Sequence, residues 1–357
     1  MLNIISRSIL FKNVSGPKKV VENLIKGLDK LGYPYVVNKR LDACKRLYIH
    51  DDRTAFLNIP KIDQNVKIIT GPNIFNLPMD IPNNIDISRT VYIQPSEWAK
   101  ELFLDCDFNK CKLDFWPVGI DTDEFKPLNL KKEFILIYFK IRDKESEEKL
   151  LEKELKQIEN VLKNKKLDYR IIKYSSYKEE DFKNLLNKSR YIIWLGMLET
   201  QGIAFEEALA TNIPVLVCDF NSHFTCIKNR QDKYYKVTNA PYFSDASGLK
   251  IKNLSELERA INFMENNLSG FNPRKYILKN LSLEKQAKEL ILLYQKHFGM
   301  SYEEGFKERL LKNGDWLNNK FYYRLYLKLK HFTKIILLKC GIWQRIENQR
   351  LKLSKNA

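Results

Sequence analysis

Short runs of β-branched and aromatic residues recur along this chain, each followed by an amphipathic helical stretch, and the whole series runs twice. In the first third, "LNIISRSI", "YPYVVNK", "KRLYIH", "VKIITGP" and "RTVYIQP" alternate with loops and helices, including a helix expected from Lys18 to Leu31. "PSEWAKELFLD" reads as a further helix with Pro and Ser at its start, and "KLDFWPVGIDTDEFKP" as a strand running into a turn-rich segment where Asp121 and Asp123 organise the turn. The period then restarts with "EFILIYFKI", "DYRIIKYSS", "RYIIWLGM" and "IPVLVCDF", separated by helices from Lys144 to Lys163, Glu179 to Asn187 and Glu206 to Ala210. Strands this short and apolar, alternating with helices, predict parallel sheets covered on both faces. The class expected is therefore α/β, with two facing doubly wound Rossmann-like domains and a basic helical C-terminal tail. The boundary falls around Leu128 to Lys132, which divides the chain into residues 1–128, 129–300 and 301–357. Beyond Asp219 the pattern predicts a strand and loop in "KYYKVTNAPYFSD", a helix at Ser255–Asn267 capped by Ser255, and another at Leu283–Phe298.

With 357 residues the chain is long enough for two ordinary cores, so no stapled mini-fold is needed. A net charge of +17 favours anionic partners: nucleic acid, nucleotide diphosphates or an anionic bilayer. Six cysteines are present without the two-residue spacing of zinc or redox motifs, which reads as reduced thiols of a cytosolic protein. His50, His223, His297 and His331 form no ligand pattern, so no metal site is expected. Ser6, Arg7 and Ser8 interrupt the first apolar run, unlike a signal peptide, and no stretch approaches the roughly 20 apolar residues of a membrane-spanning helix.

The segment "LETQGIAFEEALATNIPVLV", Leu198 to Val217, places two carboxylates where a doubly wound sheet binds ligands, beyond the carboxyl end of a strand. Gly202 permits close backbone approach, and the amides opening the next helix suit an anion such as a diphosphate. Carboxylates beside such a place are suited to accept hydrogen bonds from hydroxyls rather than to hold phosphate. Glu199 lies in the loop and Glu207 on the helix, so one ligand with hydroxyls at two ends and a phosphate between them satisfies both. That description fits a nucleotide sugar. The plainer reading of such a pair is two charges solvating a helix end.

"ETQGIAFEEALATNIPVLV" resembles the E-x7-E donor motif of retaining GT-B glycosyltransferases of the family 4 type. "WPVGIDTDEFKP" is similar to the segment ending that family's N-terminal domain, and "VSGPKKVVENLIKGL" to its glycine loop and first helix; the likeness covers roughly the first 300 residues. The resemblance implies that Glu207 binds the ribose, that Glu199 contacts the donor sugar as the catalytic residue, and that Gly202 and Ile203 offer amides to the donor. It makes Gly16 a close-approach point for donor phosphate or acceptor. "IYFKIRDKE" occupies the phosphate-clamp position, where Lys140, Arg142 and Lys144 are candidates to neutralise the departing diphosphate. The family's pair of cations five positions apart is not matched here. The family's histidine after a central N-terminal strand is also absent, since the matching place reads "IITGPNIF"; His50 in "YIHDD" is a substitute of a kind more often structural.

The expected activity is transfer of a hexose-type sugar from a nucleotide-diphosphate sugar, with no cofactor, to a glycan or lipid-linked acceptor held by the first domain, as in polysaccharide biosynthesis. The alternatives are another GT-B enzyme, such as a nucleotide-sugar epimerase, and a basic nucleic-acid-binding protein. Against the last, the basic aromatic region is confined to the tail and carries no recognition motif. From Ser301 onward thirteen Lys and Arg stand against five acids, and from Trp316 to Trp343 cations alternate with aromatic and aliphatic residues. Such a segment suits the interface of an anionic bilayer, which implies a cytoplasmic protein peripheral to a membrane's inner face. A final helix packing on the fold is the competing expectation.

Overall fold

The computed structural model describes residues 1–11, 15–72, 74–75, 77–140, 147–174, 176–220, 223–228 and 231–316, with the isolated positions 329 and 332. Arg142 and Lys144 lie outside these residues, as does the stretch 316–343 apart from Trp316, Leu329 and Phe332.

Six strands form the first sheet: β1 (Leu2–Ile5), β2 (Tyr35–Val37), β3 (Arg46–Ile49), β4 (Lys67–Thr70), β5 (Val91–Gln94) and β6 (Lys112–Phe115). Their order is β2-β1-β3-β4-β5-β6, all parallel. The second sheet uses β7 (Phe134–Lys140), β8 (Tyr169–Lys173), β9 (Ser189–Gly196), β10 (Val215–Cys218) and, after a hairpin of β11 (His223–Lys228) and β12 (Gln231–Lys236), β13 (Gly248–Ile251). Its order is β13-β10-β9-β7-β8, again parallel. The expected doubly wound α/β domains are thus present, though neither the hairpin nor β13 was expected as such.

Strand alternation explains the double-sided cores. In the first sheet Leu2, Ile4, Ile69 and Ile93 pack on one face, while Ile5, Leu47, Ile68 and Tyr92 pack on the other. In the second sheet Leu136, Tyr138 and Trp194 face one core and Ile137, Phe139 and Leu195 the other.

Two segments at the C-terminal side of the chain return to the first sheet. Ala287, Leu290, Ile291 and Tyr294 of the Leu283–Phe298 helix are buried in the same cluster as Leu2, Ile4 and Val21. The helix comes so close to the Gly16–Lys30 helix that a Cβ on Gly27 would lie 2.4 Å from Leu283 O and 2.8 Å from Ala287 Cβ. By packing, this helix belongs to the first core, although its residues fall within the 129–300 stretch. Residues 301–316 follow it. The fully buried Arg46 pairs with Glu308 and donates to Ser301 O at 2.7 Å. Leu311 N donates to Ala43 O at 2.8 Å, Trp316 N to Asn38 O at 2.9 Å, and the Trp316 indole to Asp52 at 3.1 Å. Residues 301–316, which fall within the expected tail, are thus fixed to the first domain, where the buried Arg46 has its counter-ion.

Smaller differences have local causes. The helix expected to start at Ser255 begins at Leu257 after a 3-10 turn, and its N-cap, Glu256, makes no side-chain capping bond. The Pro273–Asn280 helix, capped by Asn272 accepting from Lys275 N, adds to the second domain.

Candidate donor site between the domains

In each sheet the strand order reverses beside the first strand, between β1 and β3 and between β7 and β9. The carboxyl ends of strands flanking such a reversal open a crevice. In the second sheet those ends are Lys140 and Gly196. Three residues beyond Gly196 lies Glu199, and the Lys140 ammonium meets the Glu199 carboxylate across the crevice. The cation also sits 4.5 Å from the centre of the Tyr174 ring. The two residues were expected on separate grounds, one as a phosphate clamp and one as a sugar contact. They form one ion pair.

Gly202 takes φ 88°, ψ 49°, a left-handed conformation that costs glycine nothing, and serves as N-cap of the Ile203–Ala210 helix. Ile203 opens that helix, so its amide and its neighbours' belong to the N-terminal group left free by helix geometry. The loop is held from both domains: Trp98 Nε1 of the first donates to Glu199 O at 3.0 Å, and Glu199 N donates to Thr238 O of the second at 3.0 Å.

Glu207 lies a turn into the helix and is 3 % exposed. Burial pushes its carboxyl up to about 7, opposed by the charge of Lys19. Lys19, from the Gly16–Lys30 helix of the first domain, reaches Glu207 at 2.5 Å and Glu179 at 3.2 Å. A cleft of about 540 Å³ opens over this contact, lined among others by Lys19, Lys26, Asp121, Glu124, Glu179 and Glu207. Tyr177, 3.1 Å from the Tyr138 hydroxyl, stands close to both Lys19 and Glu207, and burial lifts its phenol to about 12. The expected turn is in place: Asp121 accepts from Asp123 N and Glu124 N, and also from Lys26 at 2.8 Å.

Gly16 is the first residue of its helix and exposed, and among the described residues a Cβ there would meet nothing within 4 Å. His50 is entirely buried, with Nε2 3.0 Å from Pro17 O and Nδ1 3.2 Å from the Tyr48 hydroxyl. Burial holds it below the usual imidazole range, so it anchors the start of the helix as a neutral ring. Among the described residues no group of three or more His, Cys, Asp and Glu is placed to hold a metal ion, and no helix is long and apolar enough to cross a membrane.

Sequence reasoning missed Lys19, Gln201 and Glu206. Gln201 and Glu206 adjoin the expected pair, and their burial is the signal that a sequence does not print. Lys19 is one lysine among many.

No protein-family model matches the chain, and no curated protein matches it in sequence. Solved structures do resemble it. A sucrose-phosphate synthase from Thermosynechococcus elongatus superposes with a TM-score of 0.55 at 14% identity, over 84% of this chain and 99% of its own. The lipopolysaccharide outer core galactosyltransferase WaaB is more distant, with a TM-score of 0.48 at 12% identity over 84% and 98% of the two chains. An α,α-trehalose 6-phosphate synthase from Burkholderia multivorans has a TM-score of 0.47 at 12% identity over 80% and 78%. The likeness to the first is one of fold: two facing parallel-sheet domains in the GT-B arrangement.

Proposed function

We propose that the protein is a glycosyltransferase of the GT-B type that moves a sugar from a nucleoside-diphosphate donor to a glycan or lipid-linked acceptor, with retention at the anomeric carbon. The observation that supports this best is the meeting of Lys140 and Glu199 at the β7/β9 crevice, with Glu207 a turn into the next helix. A donor seated there has its diphosphate near Lys140 and the Ile203 amides, its sugar hydroxyls at Glu199 and its ribose at Glu207. Binding exchanges ammonium partners for hydroxyl donors at both carboxylates. Lys140, released from Glu199, is then free to stabilise the charge that grows on the leaving diphosphate. No enzyme nucleophile is required if the acceptor hydroxyl attacks from the leaving-group face, a route that depends on positioning.

Arg142 and Lys144 are kept as further clamp candidates on sequence grounds, and Gly16 as the first domain's point of approach. The cations of 316–343 suit an anionic bilayer surface, where a lipid-linked acceptor would be met; co-sedimentation with anionic liposomes reads that association.

The test is release of nucleoside diphosphate from a panel of UDP-, GDP- and ADP-sugars by the full-length protein, with and without glycan and lipid-linked acceptors. Acceptor-dependent release supports the reading. Conversion of donor without acceptor favours an epimerase, and inertness toward every donor, together with salt-dependent oligonucleotide binding, favours a nucleic-acid-binding protein.

A further inference from the structure

Gln201 sits between Glu199 and Gly202 and is 5 % exposed. Its side-chain amide engages both polar groups of one backbone residue: the oxygen accepts from Val118 N at 3.1 Å, and the nitrogen donates to Val118 O at 2.9 Å. The second N–H of the same nitrogen donates to Glu206 Oε2 at 2.9 Å. Val118 lies just after β6, where the chain leaves the first domain. Beside it the chain returns: Ile120 N donates to Leu281 O at 2.7 Å, and Ile120 bridges to Ser282. The two crossings touch so closely that a Cβ on Gly119 would lie 2.6 Å from Ser282 O. Gln201 therefore ties the loop between the two expected donor carboxylates to the pair of chain segments joining the domains.

Glu206 is fully buried, and only one of its oxygens has a hydrogen-bond partner. A bare carboxylate in that place is costly, and burial lifts its pKa well above the usual range, which favours the neutral form. An aliphatic side chain would bury there without that cost. Among the described residues its one hydrogen-bond partner is the Gln201 amide, which without it would leave an N–H unpaired in the interior.

We propose that Gln201, buttressed by Glu206, is a positioning residue that locks the donor loop to the interdomain hinge, so that domain movement and the placement of Glu199 and Gly202 are one motion. This rests on the reading of Glu199 to Glu207 as the donor site. Through the clamp, a small rotation at Val118 re-aims the Glu199 carboxylate. Misplacement by about 1 Å is enough to lower turnover on the order of 100-fold.

The experiment compares full-length Gln201→Leu, Glu206→Leu, Glu206→Gln and the Gln201→Leu/Glu206→Leu double variant by steady-state kinetics, melting temperature and hydrogen exchange at the Val118 amide. The clamp predicts that Gln201→Leu lowers kcat at least ~10-fold with donor KM within ~3-fold and speeds Val118 exchange. Glu206→Leu does the same in lesser degree, Glu206→Gln retains most of the kcat because it still offers an acceptor oxygen, and the double variant is no worse than Gln201→Leu. Unchanged kcat and unchanged Val118 exchange in a folded Gln201→Leu protein overturn the proposal, as does a double variant whose losses multiply. If Gln201→Leu does not fold, the kcat ratio of Glu206→Leu to Glu206→Gln decides: a ratio near one overturns it. Wild-type protein that turns over no donor defeats the glycosyltransferase reading instead, and Val118 exchange still reports whether the clamp exists.

Discussion

Lys19 on the first domain and Glu207 on the second are joined at 2.5 Å, with Glu179 3.2 Å from the same ammonium, so the carboxylate expected to hold a ligand's ribose is held by a lysine from the facing domain. An ammonium and a pair of ribose hydroxyls want the same oxygens. If the proposed donor seats its ribose on Glu207, filling the site and releasing this interdomain contact are linked events.

Stability should record the burial of Glu207. Its folded pKa is raised from 4.5 to about 7, so the stabilisation is fully present below pH 4.5 and is lost as pH rises toward 7. Relative to Glu207→Gln, the wild type should lose up to about 3 kcal/mol over that window. Lys19→Met should extend the loss to higher pH, because the charged form then lacks its partner and the folded pKa rises further. Denaturant titrations at several pH values check this; parallel curves for wild type and Glu207→Gln would refute it.

Glu199 and Lys140 should affect turnover more than nucleotide affinity. Glu199→Ala is expected to leave free nucleoside diphosphate binding nearly unchanged while cutting sugar transfer, and Lys140→Ala to cut transfer at least ~10-fold. Because the two side chains share an ion pair, their double variant should depart from additivity by about 0.5–3 kcal/mol in a kinetic cycle. Strict additivity would separate them functionally.

Transfer is expected to survive EDTA, since side-chain cations are assigned the charge that a metal would otherwise take. Activity abolished by chelation and restored by a divalent ion would reassign that role.

Removal of Glu308 should destabilise the protein. Arg46 is 0 % exposed and pairs with Glu308, which also accepts from the Met1 ammonium at 3.0 Å. Glu308→Ala, or truncation after Met300, leaves a buried charge without its partner, a loss of about 3–5 kcal/mol. A truncated protein melting at the wild-type temperature would show residues 301–316 to be dispensable.

Much of the fold was legible because strand alternation and helical period are local signals: "EFILIYFKI" and "RYIIWLGM" could hardly be anything but buried parallel strands. What was illegible depends on partners distant in sequence. The Leu283–Phe298 helix announces itself, but its packing against Gly27 on the first domain does not. Arg46 reads as an ordinary cation at a strand start until Glu308 closes over it. At the candidate site, the sequence placed Glu199, Gly202 and Glu207 together beyond one strand end, their roles coming from the family resemblance, and Lys140 entered through the clamp position that the resemblance implies. Lys19 was not, because its role comes from the facing of two domains, and one lysine in a lysine-rich chain carries no mark of that.

The most direct measurement is a calorimetric titration of UDP, GDP and ADP, and of their sugars, into full-length protein and into Glu207→Ala. A donor site at Glu199 to Glu207 predicts saturable one-to-one binding of at least one diphosphate to the wild type, weakened about 10- to 100-fold in the variant through loss of a charge-assisted hydrogen bond. Absence of binding by every nucleotide, or equal affinity in both proteins, would contradict it.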